Sequence, residues 1–219
     1  MENWFIKYKD NFISVIGKIV VILQAIFFVL TMVMRFRNNI VRMWQLMMHT
    51  SATWEGILED GKEKNVFKTF FLPVLMLVVG LNAFFKFVYA DSNRFQTGIV
   101  YALAAFIAYL SAYFTARYFT VKHIVKHHPE KNNRQNIEKL IAYSFVVVFV
   151  LKIATIVIPS LFFLQILNIY TVYIVWEGCR VLFDLDEDER GKIMLIISLS
   201  VMLLPGMVNK LILTILPGF

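Results

Sequence analysis

The sequence predicts an all-α fold, a polytopic transmembrane helical bundle of five core spans with short amphipathic interfacial helices. An N-terminal apolar segment supplies a sixth span if it also crosses. Three observations predict this. Hydrophobic types make up 59% of the 219 residues and charged types 17%, against roughly 45–50% and 25% in an average soluble domain. The apolar residues fall into runs of about 20, the length that crosses a bilayer core as a helix. The Lys and Arg residues gather between alternate runs, as in cytoplasmic loops. A soluble enzyme, a disordered chain and a disulfide scaffold are disfavoured. Cys179 is the single cysteine and lies inside an apolar run, so no disulfide or cysteine metal site is expected.

The first segment, 1–34, carries the run Phe12–Met34, interrupted by Lys18 and Gln24. It lacks a small-x-small cleavage site, which argues against a signal peptide. An extra span, an interfacial helix or a start misassigned upstream of Met34 remain as readings. Next comes a cytoplasmic lead-in, 35–69. Ser51 can cap a helix from Ala52, with Trp54, Ile57 and Leu58 on one face and Gly61 at its end. Trp44 and Trp54 read as interface anchors at the headgroup level. The lead-in is either a connector resting on the membrane or a docking surface for a partner.

The membrane domain, 70–219, holds five spans at about Phe70–Tyr89, Gly98–Phe119, Leu140–Ile158, Leu161–Phe183 and Ile193–Leu216. Pro73 is acceptable in the first turn of the first span, where donors are free. The second carries Ala104, Ala108, Ala112 and Ala116 at four-residue spacing, a stripe that lets another helix approach closely, within the bundle or in a homodimer. The third and fourth form one 44-residue apolar stretch, Leu140 to Phe183. It is too long for one crossing, and Pro159-Ser160 is where it should break. Pro205-Gly206 should kink the fifth. The segments Arg35–Lys68 and Arg117–Lys139 hold six Lys and Arg each, while Ala90–Thr97 holds only Arg94. All the rich segments fall on one side, which puts that side in the cytoplasm and Phe219 outside.

Charge at membrane depth is costly, about 2.5–3.5 kcal/mol at the centre on insertion scales, and asks for a functional hypothesis. Tyr170, Tyr173, Glu177, Arg180 and Asp184 step by three or four along the fourth span. The candidate intramembrane polar site is Tyr170, Tyr173, Glu177, Arg180 and Lys152. Glu177 and Arg180 at i, i+3 can neutralise each other. Lys86 and Lys210 are candidate outer basic residues, read as snorkelling cations or, with Lys152, as an outer vestibule for an anion.

Several motifs fail. His123 and His127 at i, i+4 could share a metal if the second helix continues past Phe119. Lys122 and Lys126 crowd them, however, and no third ligand has a fixed spacing, so no metal is assigned. Asp184, Asp186 and Asp188 lack the Gly and Glu of a calcium loop and read as an acidic turn, pairing with the His/Lys loop. No Walker loop, dinucleotide fingerprint, HExxH or G-x-S-x-G is present, which removes the usual reasons to propose an enzyme.

Two segments resemble a known family. His49-Thr-Ser-Ala-Thr-Trp54-Glu55-Gly-Ile57, with the later Phe71-Leu-Pro73, is similar to the lead-in of bacterial Yip1-domain membrane proteins. Tyr170-Thr-Val-Tyr173-Ile-Val-Trp176-Glu-Gly178, before a charged turn and a last span, is similar to their fourth helix. The resemblance covers about Arg42 to Leu216. Thr50 stands near where the family usually has Pro. The D-L-Y-G-P motif of eukaryotic members is absent, so their small-GTPase partnership is not carried over. The resemblance implies an integral membrane protein with no catalytic residues to transfer. The expectation is therefore a multi-pass protein of the bacterial inner (plasma) membrane with no catalytic site, metal or cofactor. Its partners are the bilayer, anionic headgroups at the cytoplasmic loops, and a membrane protein or second copy, with no nucleic acid. Its role is membrane-organising or partner-binding; the alternative is a small-solute or ion transporter using the fourth-span stripe.

Overall fold

A computed structural model describes residues 37–59, 65–89, 94–127, 129–131 and 133–215. The expectations for 1–34 and for Gly61 lie outside these residues. The unit described below spans Val41–Phe219.

The unit Val41–Phe219 is all-α, with no strand among the described residues. Helical residues 41–48 lead into α1 (Thr50–Glu59). A π-helical turn, Phe67–Phe71, leads into α2 (Leu72–Tyr89). Then come α3 (Arg94–His127), α4 (Arg134–Ser144) and α5 (Val146–Val157). A 3-10 stretch, Pro159–Ile169, precedes α6 (Tyr170–Phe183), and α7 (Glu187–Ile215) ends the chain's described part. Among the described residues, five helical stretches are long and apolar enough to cross a membrane: Phe67–Lys86, Gln96–His127, Arg134–Val157, Pro159–Phe183 and Glu187–Ile215. They correspond in order to the five expected runs.

The hairpin break falls where proline chemistry puts it. Ile158, before Pro159, is extended with φ −127° and ψ 90°, because the proline ring disfavours the helical region for its predecessor. Pro73 differs from expectation. It lies inside a continuous helical stretch rather than in a first turn, and the π turn just before it accommodates the donor it removes. Leu72 N–H reaches back five residues to Phe67, a widened turn of the kind that absorbs such defects. The last helix starts earlier than expected. Glu187, Asp188 and Glu189 form its first turn rather than a loop, since carboxylates stabilise helix N-termini. Its helix continues through Pro205.

The span Arg134–Val157 is the hub. Asn133 caps it, its side-chain oxygen accepting from Gln135 and Asn136 N–H, and residues Leu140–Phe149 are buried without exception. Phe71 from the π turn meets Tyr113 at 4.6 Å, Phe145 at 5.0 Å and Phe149 at 5.6 Å between ring centroids. Such ring packing matters in lipid, where apolar transfer does not drive helices together. Ala104, Ala108, Ala112 and Ala116 are each 0% exposed, so the small-residue stripe is used within the bundle.

Three regions rich in Lys and Arg meet at one end. Arg117 pairs with Glu138 at 2.7 Å. Lys131 donates to the Asp184 carbonyl, and Asn136 donates to the Leu182 carbonyl at 3.3 Å. The lead-in is bound to the same end.

Candidate functional site

The lead-in helix is built by its own apolar periodicity. Met43, Leu46, Thr50, Trp54 and Ile57 are buried, while Val41, Trp44, Met48 and Leu58 are exposed. Helical hydrogen bonds run on through the bend at His49, from His49 N–H to Gln45 and from Thr53 N–H to His49. The Ser51 side chain is therefore not needed as a cap, contrary to expectation. It accepts from Arg180 Nη2 at 2.8 Å instead.

The buried face of the lead-in sits on α4 and α6. Trp54 is 0% exposed, its indole N–H donates to the Ile174 carbonyl at 3.0 Å, and its ring meets Tyr143 edge-on at 5.9 Å. This corrects the expectation of Trp54 as a headgroup anchor: its apolar ring and its donor are both satisfied inside the protein. Trp44 is 63% exposed. At Gly178 the backbone of α6 approaches so closely that an added Cβ would lie 2.8 Å from two Trp54 ring atoms and 2.5 Å from Leu140 Cδ1.

The polar residues of α6 serve this contact. Tyr170 donates to the Met47 carbonyl at 3.1 Å and lies 3.1 Å from the Thr50 hydroxyl. Tyr173 lies tilted against Tyr170, ring centroids 5.4 Å apart, and is 45% exposed. Arg180 bonds Glu177 at 2.8 Å while holding Ser51. Two further ties come from α4: Arg42 donates to the Tyr143 hydroxyl at 2.8 Å, and Lys139, 4% exposed, donates to the Ile57 carbonyl at 2.8 Å. Lys139 counts in the sequence only as a loop cation. Its role is to satisfy a carbonyl of the last turn of α1, where the helix dipole also favours a cation.

Lys152 does not join this group. It lies on α5, nine residues beyond Tyr143 and so roughly 13 Å further along the span. There it lines a cavity of about 80 Å³ with Asn82, Tyr109, Gly206 and Asn209. Grouping Lys152 with the α6 stripe is thus corrected: helix rise separates them. Lys86 packs over the Tyr101 ring at 4.6 Å, and Asn82 donates to the Tyr101 carbonyl at 3.2 Å. Lys210 is exposed.

A third cluster joins the extended end of α3 to α7. His123 Nε2 lies 2.7 Å from Glu189 Oε2, and Lys192 Nζ lies 2.6 Å from Glu189 Oε1. The acidic run and the His/Lys segment do pair.

A family model for the Yip1 domain matches residues 44–208. The chain belongs to the Yip1-domain family. The match begins at Trp44 and takes in most of the lead-in seat, leaving out Met43 and the Arg42–Tyr143 tie, so in this Yip1 domain the lead-in is part of the folded unit and not an appendage. Neither the curated proteins nor the solved structures yield a match.

Proposed function

We propose that this Yip1-domain protein is a membrane-organising or partner-binding protein with no chemistry of its own, resident in the plasma membrane (the inner one where there are two). Its basic end lies in the cytoplasm and its C-terminus outside. The observation that carries this reading is the use of the α6 stripe. Tyr170 and Arg180 spend polar groups on seating the lead-in, with Glu177 held to Arg180, and Val41, Trp44 and Met48 form an exposed apolar row at i, i+3 and i+7. Such a row at the cytoplasmic end fits a helix of a membrane-protein partner or a second copy. The charge asymmetry supports the orientation.

The test is a photo-crosslinking residue at 44 or 48 in native membranes. Discrete protein adducts, lost on Trp44→Ser when the probe is at 48, are expected. Labelling of lipid alone would refute partner binding.

The transport reading has one specific support, the cavity at Lys152, with the Asn209 side-chain oxygen buried and unpaired beside it. Its volume of about 80 Å³ exceeds the space one water needs, and its polar lining could hold ordered water. Uptake into proteoliposomes that is lost on Lys152→Met would favour it; a tight vesicle would not.

A further inference from the structure

We propose that His123, His127 and Glu189 form a binding site for a divalent transition-metal ion of the zinc class, joining the cytoplasmic end of α3 to the first turn of α7. The site exists because α3 runs eight residues past Phe119, to His127. That extension keeps His123 and His127 on one helical face, with ring centroids 4.5 Å apart. The third donor comes from 66 residues away: Glu189 Oε2 lies 2.7 Å from His123 Nε2. One ligand atom from each of the three residues lies within 4.8 Å of the others. In a tetrahedral complex with bonds of about 2.0–2.1 Å, donors stand roughly 3.3 Å apart. The remaining contraction is about 1.5 Å, within reach of a side-chain adjustment at exposed His127.

Two further groups hold the donors in place. His127 Nδ1 lies 3.0 Å from the His123 carbonyl. Donation there leaves Nε2 with the lone pair, the arrangement in which ligating imidazoles are usually oriented. Lys192 grips Glu189 Oε1, leaving Oε2 directed at His123. Lys122 does not fill the site: its Nζ turns back over the Tyr118 ring, 5.8 Å from its centroid. Two imidazoles and one carboxylate, with an exposed side at His127 for water, make a borderline-soft donor set that takes zinc-class ions over Mg²⁺ or Ca²⁺, which want all-oxygen shells.

The test uses the tag-free full chain in detergent micelles, titrated with Zn²⁺ against a chromophoric chelator. The expected result is one saturable Zn²⁺ per chain, unaffected by excess Mg²⁺. His127→Gln and Glu189→Gln should each weaken it at least tenfold, and Lys126→Gln should not. Zn²⁺ should also raise the unfolding temperature of the parent and leave that of His127→Gln unchanged. His127 is exposed, so this variant's metal-free unfolding temperature should match the parent's and report a folded protein. No saturable binding, or His127→Gln titrating like the parent, overturns the site and leaves the His123–Glu189 contact as an ion pair only. If Glu189→Gln unfolds without metal, the His127→Gln titration alone decides.

Discussion

Replacing Gly178 by Ala should release the lead-in from α6. The methyl carbon would arrive 2.8 Å from Trp54 Cε2 and Cζ2 and 2.5 Å from Leu140 Cδ1. Ordinary contact begins at 3.4 Å, so the indole must retreat by about 0.6 Å. The ring is rigid, pinned by its bond to Ile174 and by the edge of Tyr143. Overpacking of this kind costs about 1–3 kcal/mol, and weakening the indole bond adds about 1 kcal/mol. The gain in helix propensity from Gly to Ala offsets about 1 kcal/mol. The net is a loss of roughly 1–3 kcal/mol. Gly56 is the control: a Cβ there meets nothing within 4 Å, so Gly56→Ala should be neutral or stabilise by up to ~1 kcal/mol. Reversible unfolding in mixed micelles measures both, and hydrogen exchange in α1 locates the effect. A Gly178→Ala protein as stable as the parent, with α1 amides equally protected, would refute the close approach.

Lys139→Met should destabilise by about 1.5–3 kcal/mol, the value of a charge-assisted bond, and speed amide exchange in the last turn of α1; unchanged exchange there would show the Ile57 carbonyl has another partner. Glu177→Gln should cost at most ~1 kcal/mol because Arg180 is half-exposed, and should leave any uptake into vesicles intact; lost uptake at full stability would move Glu177 into a transport path. Reporter fusions after His127 should read as cytoplasmic and fusions at Phe219 as external, and the reverse pattern would overturn the charge-based orientation.

The spans were legible because lipid imposes a length and a composition on every crossing, and Pro159 marks its own break through local sterics. The lead-in helix was legible from its apolar period, but not what that face touches. Trp54 and Ile174 are 120 residues apart, and an amphipathic stripe looks the same whether it meets headgroups or a helix. The α6 stripe was visible as a spacing, while its use as a seat depended on Ser51, Thr50 and Met47 arriving from another segment. Lys139 looked like one more loop cation because burial leaves no mark on a single residue. Helical spacing paired His123 with His127, but Glu189 came only with the fold. The start of α7 was missed for a related reason: acidic residues end an apolar run, yet they favour the first turn of a helix.

The lead-in's attachments also set an order on biosynthesis. Its partners Lys139, Ile174 and Arg180 come after it by 82, 120 and 129 residues. At about 5–20 residues per second, a ribosome needs roughly 6–24 s to make the 120-residue interval. Until then the Trp54 indole N–H lacks its Ile174 acceptor and the lead-in lacks the α6 half of its seat, and an apolar helix face left open in that position is expected to rest on the bilayer surface. The expected order is therefore a lead-in that completes its docking only after the fourth crossing has been made. Truncation before the fourth crossing should leave it stranded on that surface.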